Sequence, residues 1–345
     1  MFTFEGYFQS LADSLQICLL KAGGVRDQSN QLIFPIHTKG ARDESFAKIC
    51  DEDDPQVELD SGWNFQSADY FRHTTAELLG NCVLFADRIP STVHIIDRLA
   101  SVLLKDINVV CVAAQQSSGK GRSGNVWESP LGCAMFSFPL VIPLATRLGQ
   151  ALTFVQHLVA TACVLAVRNT PGYQDVDLRI KWPNDILTSD KVKVGGILVT
   201  SSIMNQTAYC NVGVGFNISN TKPTICLNEL IGKVSSTSNA FSIERFIGRT
   251  LSELEKLLRE FAVSGETTFL PLYLKYWLHM NQQVNIRQVN ENPEVKSQDF
   301  AGKIIGLDKF GFLLVRLESG ELWSVQSDGN RFDMMANLLL LQRIS

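Results

Sequence analysis

Gln116-Ser117-Ser118-Gly119-Lys120-Gly121-Arg122-Ser123-Gly124-Asn125-Val126-Trp127 is a polar, glycine-dense stretch between two apolar runs. The runs that flank it, Ile107–Ala113 and Cys133–Val141, are of strand length. The connection between the strands is about eighteen residues, and a loop that long inside a compact domain is usually functional or disordered. Gly119, Gly121 and Gly124 allow close approach of the backbone to a ligand and φ > 0. Lys120 and Arg122 alternate with them, so both cations can face one anion: Arg as a bidentate fork, Lys as a compact charge. Trp127 offers a flat surface on which an aromatic base can stack. Two familiar phosphate motifs do not fit. A Walker loop needs Gly where Ala114 stands and Ser or Thr where Gly121 stands, and Gly119-x-Gly121-x-x-Gly124 leads into Trp127-Glu128-Ser129-Pro130 rather than a helix. Taken alone, the loop is an anion cradle or a flexible basic surface loop.

Working outward, Asn81–Phe85 is a further strand, and Ser91–Leu104 has helical periodicity. Strand-like runs recur at Leu178–Trp182, Gly195–Ser201 and Tyr209–Gly215, with a long apolar helix at about Gln150–Asn169. Interleaved strands and helices predict an α/β (α+β) domain around a buried sheet. Ile243–Phe261 is an amphipathic helix with Ser242 as N-cap and Arg245 and Arg249 on its outer face, and a second helix covers about Thr268–Met280. In the tail, Ala301–Leu307, Phe312–Leu317 and Leu322–Val325 are short strands punctuated by glycine turns, the pattern of a small antiparallel barrel. Residues 1 to about 60 read as peripheral. Asp43–Asp60 holds eight acidic residues against one lysine and reads as a solvated linker. The expected domains are therefore 1–64, an extension with an acidic linker; 65–282, the α/β domain; and 283–345, the barrel.

A second cluster sits at Arg179-Ile180-Lys181-Trp182-Pro183-Asn184-Asp185-Ile186. Lys181 ends a strand among apolar residues, where a lysine is costly unless an anion neutralises it. Asn184 and Asp185 read most simply as turn-formers. Lys193-Val194-Gly195-Gly196-Ile197 adds a third lysine beside paired glycines, and Gly213-Val214-Gly215-Phe216-Asn217 ends a strand with a polar tip. The glycines there read simply as close strand packing. Several glycine-and-cation segments at strand ends of one domain imply a pocket for a strongly anionic ligand, such as a nucleotide with a carboxylate to react with it.

Bulk properties narrow the class. The chain has 345 residues, 45% hydrophobic and 19% charged, with net charge −4. That balance argues against a nucleic-acid partner, and no apolar run reaches the ~18 residues of a membrane span. The N-terminal Met1-Phe2-Thr3-Phe4-Glu5-Gly6 has neither the pattern of a secretory signal nor that of a transit peptide. Eight cysteines, irregularly spaced and without a C-x-x-C pair, read as small buried hydrophobes in a reducing compartment. The five histidines lack metal-ligand spacing, and His157 reads as a core residue.

Taken in order, Gly119-Lys120-Gly121-Arg122-x-Gly124-x-x-Trp127, Lys181-Trp182-Pro183-Asn184-Asp185, Lys193-x-Gly195-Gly196-Ile197 and Gly213-x-Gly215-x-Asn217 resemble the biotin protein ligases, the eukaryotic holocarboxylase synthetases in particular. The resemblance covers about residues 65–345. It implies a central mixed sheet flanked by helices, a catalytic domain like that of class II aminoacyl-tRNA synthetases, and a C-terminal SH3-like barrel. It implies activation of biotin with Mg-ATP to biotinyl-5′-AMP, then transfer to a lysine. The implied acceptors are biotin-accepting domains of acetyl-CoA, pyruvate, propionyl-CoA and methylcrotonyl-CoA carboxylases, in the cytoplasm and also the mitochondrion. By the same resemblance Ser91, Thr92, Gln116, Lys120, Gly121, Arg122 and Lys181 hold biotin. Gly119, Lys120, Arg122, Trp127, Asn184, Lys193 and Asn217 hold ATP or the adenylate. Lys181 and Arg122 serve catalysis, and Mg²⁺ rides on the ATP phosphates rather than on protein side chains. Where relatives carry two arginines in the basic loop, this chain has Lys120. Ser91 and Thr92 can equally cap the following helix. The competing readings are a lipoate or octanoate protein ligase of related fold, and a non-catalytic nucleotide-binding module.

Overall fold

The computed structural model describes residues 32–38, 45–49, 65–100, 109–234, 239–289, 298–327, 330–334 and 336–342, the first two stretches by their backbone alone. In chain order the strands are β1 Leu32–Thr38, β2 Ser45–Ile49, β3 Cys82–Ile89, β4 Val109–Gln116, β5 Cys133–Pro143, β6 Arg179–Lys181, β7 Asp185–Leu187, β8 Lys193–Met204 and β9 Thr207–Asn217. The C-terminal strands are β10 Gln283–Val289, β11 Gln298–Leu307, β12 Leu313–Leu317, β13 Leu322–Val325, β14 Arg331–Asp333 and β15 Leu338–Gln342. The helices are α1 Ser67–His73, α2 Thr92–Ala100, α3 Phe154–Arg168, α4 Leu227–Val234, α5 Ile243–Ser264 and α6 Glu266–Lys275.

The first nine strands form one sheet in the order β2-β1-β3-β4-β5-β9-β8-β7-β6. Only β3 and β4 run parallel among its described pairs, so the sheet is mixed, as expected. Strand alternation separates its two faces. On β9, Val212, Val214 and Phe216 point to one side, where Phe216 meets Phe246 of α5 with ring centroids 4.4 Å apart. Apolar α3, buried along nearly its whole length, and α5 cover that side. Asn211, Gly213 and Gly215 point to the other side, which α2 covers in part: Asn211 Nδ2 donates to Val93 O at 2.8 Å and to Asp97 Oδ1 at 2.6 Å. Beyond the N-terminus of α2 that face has no helix above it, and the glycines leave room there.

Three expectations need correcting. Part of the acidic stretch from Asp43 is strand: Ser45–Ile49 is β2, paired antiparallel with β1, which pairs with β3. The acidic residues crowd on after Ile49, whereas Ser-Phe-Ala-Lys-Ile alternates polar and apolar as a strand does. The C-terminal sheet, β13-β12-β11-β10-β15-β14, is not a closed antiparallel barrel: β10 and β15 pair in parallel, and no hydrogen bonds join β13 to β14 among the described residues. Finally, Ser242 caps α5 by accepting from Arg245 N at 3.0 Å, but Arg245 and Arg249 are not on its open face. Arg245 lies 4.2 Å over the Phe241 ring, and Arg249 Nε donates to Ala166 O at 2.8 Å, closing the last turn of α3.

Candidate active site

The uncovered part of the sheet is a cleft of about 880 Å³, within the range of small-molecule sites. Its floor is made of glycine. A Cβ on Gly213 would come 2.5 Å from Val93 Cγ2, and one on Gly215 would come 2.4 Å from the Trp127 ring. The indole therefore lies directly on the backbone of β9, which only glycine permits at that height. Lys193 Nζ stands 5.2 Å from the Trp127 ring centroid, a cation over the π-face.

The glycine-basic loop forms one wall and is internally closed. Trp127 N donates to Gly119 O at 2.9 Å, Gly121 N to Asn125 O at 2.7 Å and Asn125 N to Arg122 O at 3.1 Å. Left-handed conformations at its tip fall on Ser123 and Gly124, at φ 54° and 77°. Gly119 is buried and has a different reason for its identity: a Cβ there would sit 2.3 Å from Trp127 O. Lys120 is exposed beside the cleft. Arg122 reaches out of its own domain and donates from Nη2 to Ser327 O at 2.8 Å. The two cations are thus not in equivalent positions, although both line the cleft.

At the start of α2, Gln116 from the end of β4 supplies the cap. Its Oε1 accepts from Thr92 N at 2.7 Å, and its Nε2 donates to Ser129 Oγ at 3.0 Å. Thr92 Oγ1 lies 2.8 Å from Ser137 Oγ on β5. Ser91 Oγ is buried and has no hydrogen-bond partner among the described residues. A buried hydroxyl without a partner is costly in a site that holds nothing. Ser91 therefore does not cap the helix with its side chain, and its hydroxyl is available to a ligand.

On the opposite wall three charges meet. Lys181 Nζ is 3.0 Å from Asp185 Oδ2, and Lys193 Nζ is 2.7 Å from Asp185 Oδ1. The β6–β7 hairpin sets Lys181 opposite Asp185, and β8 pairs Asp185 with Gly196. Burial alone would raise the Asp185 carboxyl, but Lys193 and then Lys181 hold it below the usual carboxylate range. The group carries one negative charge for two positive ones. Each ammonium has three donors and uses one on Asp185, so donors remain for an anionic ligand.

Ser91, Thr92, Gln116, Lys120, Gly121, Arg122, Trp127, Lys181, Asn184 and Lys193 all line this one cleft. Two of the expected residues do not. Gly119 supports the loop from behind. Asn217, 3% exposed, turns its amide to Thr224 Oγ1 at 2.9 Å, whose hydroxyl donates to Lys193 O at 2.6 Å, so it braces the lysine's backbone rather than the cleft. Asn184 lines the cleft but donates to Ile197 O at 2.9 Å, tying the turn to β8. Reading the sequence missed Asp185 as an ion-pair centre, Ser129 and Ser137 as partners, and the C-terminal wall of Asn330, Phe332, Asp333 and Met334. Asp185 had a signal: a carboxylate four residues after a lysine in an apolar strand. The C-terminal wall had none, since it is built by domain packing. Among the described residues no group of three His, Cys, Asp or Glu side chains is placed to hold a metal ion, and no helix is long and apolar enough to cross a membrane.

Residues 85–217 match the profile of the Biotin/lipoate A/B protein ligase family, and residues 279–334 match that of the Biotin protein ligase C terminal domain. The chain is 43% identical over 291 residues to the human biotin–protein ligase, covering 83% of this chain but 39% of that protein. It is 32% identical over 321 residues to the chloroplastic biotin–protein ligase 1 of Arabidopsis thaliana, covering 92% of this chain and 83% of that one. In fold it is similar to the biotin protein ligase from Aquifex aeolicus in complex with biotin and ATP, with TM-score 0.51 at 21% identity, over 71% of this chain and 95% of that one.

Proposed function

The chain belongs to the biotin protein ligase family, and from that membership we propose that it activates biotin with ATP and transfers it to a lysine of a biotin-accepting protein. It spans less than half the length of the human relative, so the reading is that of the site it contains. The single observation that carries it is the pairing of Lys181 and Lys193 on one carboxylate at the edge of a glycine-floored cleft.

In the first half-reaction a biotin carboxylate oxygen attacks the α-phosphorus of ATP. The P–O bond to the β-phosphate breaks, and pyrophosphate leaves with the electron pair. Lys181 and Lys193, with donors to spare, stabilise the charge that develops on the phosphoryl oxygens and the leaving group. Preorganised cations aimed at developing charge are among the largest contributors to catalysis. Trp127 packs beside the adenine, and Ser91 Oγ and Gln116 hold the biotin head group. In the second half-reaction a neutral lysine amine attacks the acyl carbon, the C–O bond to phosphate breaks, AMP leaves, and the amine's surplus proton passes to solvent. Mg²⁺ carried by the ATP phosphates would supply further charge neutralisation, and the sole acidic side chain of the lysine cluster, Asp185, is compatible with a metal that the phosphates themselves hold. The carboxylases named above, cytoplasmic and mitochondrial, are the acceptors we infer.

ATP–pyrophosphate exchange, run with biotin, lipoate and octanoate side by side, tests the reading. Exchange dependent on biotin supports it. Exchange driven by lipoate or octanoate instead would reassign the chain to the lipoate branch, and none with any acid would leave a binding module.

A further inference from the structure

His279 lies between α6 and β10 and is 0% exposed. Its ring is edge-on to Trp277 and to Phe332, with centroids 5.3 and 5.0 Å away, and Phe332 lines the cleft. An imidazole in such surroundings must satisfy both ring nitrogens or lose stability. Nε2 accepts from the backbone N–H of Trp182 at 3.0 Å, and Nδ1 stands 2.8 Å from Gln282 Oε1. A backbone amide can only donate, so Nε2 is the acceptor and the ring proton sits on Nδ1. Gln282 Oε1 then accepts that proton, which turns its Nε2 outward to donate to Asn337 Oδ1 at 2.7 Å. Every donor direction from Trp182 to Asn337, at the start of β15, follows from one peptide N–H.

That peptide joins Trp182 to Lys181. Strand β6 is three residues long; β7 pairs along one edge of it, and on the other edge its anchors are Ile180 N to Tyr276 O at 2.8 Å and Leu278 N to Ile180 O at 3.0 Å. With Lys181 the ladder ends, and the next amide has His279 as its acceptor. We infer that His279 is a positioning residue for Lys181: its neutral Nε2 fixes the Lys181–Trp182 peptide and thereby where the ammonium stands in the cleft. This rests on the proposed function, in which Lys181 acts at the reacting phosphorus. A residue that only filled the slot between Trp277 and Phe332 would be better as Leu or Phe, which bury no polar atoms. Burial, reinforced by the charges of Lys181 and Lys191 and opposed by the Gln282 hydrogen bond, lowers the imidazole to about 4, so it stays an acceptor at neutral pH. The hydrogen-bonded series also ties the C-terminal sheet to the cleft: Gln282 accepts the Nδ1 proton and donates in turn to Asn337.

His279→Leu removes the acceptor and keeps the volume. His279→Gln places an amide oxygen near the position of Nε2. Gln282→Met, at a half-exposed position, disturbs the same series without entering the core. In biotin-dependent pyrophosphate exchange, His279→Leu should lower kcat about a hundredfold, as a misplacement of about 1 Å does, with KM for biotin and ATP within about threefold. His279→Gln should recover at least about tenfold of that loss, and Gln282→Met should lower kcat by about threefold to tenfold. Hydrogen exchange reads the same point without turnover: the Trp182 amide should exchange at least about tenfold faster in His279→Leu, while the Ile180 and Leu278 amides keep their protection. The inference is overturned if folded His279→Leu has the wild-type kcat, if His279→Gln is no better than His279→Leu, or if Trp182 protection is unchanged. A wild-type chain with no exchange activity sinks the proposed function alone, because the amide measurement still decides the placement of Lys181.

Discussion

Asp185 and Glu255 are both carboxylates with little exposed surface, and they are neutralised by opposite means. Glu255, on α5, accepts from the backbone N–H groups of Glu77, Leu78 and Leu79 at 3.0, 2.8 and 2.9 Å and from Arg259 Nη2 at 2.7 Å. Burial pushes its carboxyl up, and the three amides with Arg259 more than reverse that. Asp185, on the cleft side, is balanced by two ammoniums instead. Peptide amides have one hydrogen each and stay where the backbone holds them; an ammonium has three and swings on a flexible stem. The first arrangement ties a turn to a helix permanently. The second holds both ammoniums in place and leaves each with donors free for a phosphate.

Exchanging the two roles should fail in opposite ways. The largest effect is expected at Lys181→Ala: biotin-dependent pyrophosphate exchange should fall about 10²–10³-fold, while the melting temperature stays within about 2 °C by calorimetry. A large melting loss with retained exchange would erase the contrast. Arg122 is an intermediate case, a charged donor held at 2.8 Å by a carbonyl across the domain boundary. In Arg122→Gly we expect the adenylate to escape before transfer, raising labelling of bystander lysines about tenfold relative to acceptor in a mixed-protein assay. Unchanged selectivity would remove Arg122 from the cleft's closure. Glu255→Gln should do the reverse of Lys181→Ala: a loss of about 2 kcal/mol, seen as a melting shift of roughly 4–8 °C, with kcat of the folded enzyme unchanged.

The smallest effect concerns acid. Both carboxylates are held below the ordinary carboxylate range, so neither accounts for stability lost between pH 6.5 and about 4.5, where their unfolded counterparts begin to bind protons. His157 does: burial, against its bond to Gly311 O, lowers it to about 4, whereas in the unfolded chain it titrates near 6.5. In that window the unfolded chain binds more protons, so stability falls as pH falls, by up to about 1.4 kcal/mol per pH unit for this group. His157→Gln retains a donor for Gly311 O, and melting curves of this variant should be flatter over the same window. An unchanged slope would shift the acid sensitivity to His279.

How much of this was legible in the sequence depends on range. Lys181 was legible because a lysine in an apolar strand is locally anomalous, and the helix at 243–264 because its period and its Ser242 cap are local. Strand β10 was legible in principle: Val284 and Ile286 alternate with polar neighbours and are buried. Strand β15, a run of leucines, has no alternation to read. The hold of Arg122 on Ser327 and of His279 on Trp182 joins residues 205 and 97 positions apart, and nothing near either residue announces its partner. Asp185 was missed for a different reason: after Pro183-Asn184 a carboxylate satisfies a turn so well that its charge drew no further question.

The glycine floor sets the direction in which this cleft can be redesigned. Glycine is the smallest residue, so libraries at Gly213 or Gly215 can only fill the space that Val93 and the Trp127 ring already occupy. A variant meant to accept a bulkier acid has to take its volume from the sides, by trimming Val93 or Leu198, both of which line the cleft. Ligand size in this chain is therefore adjustable laterally and closed from below.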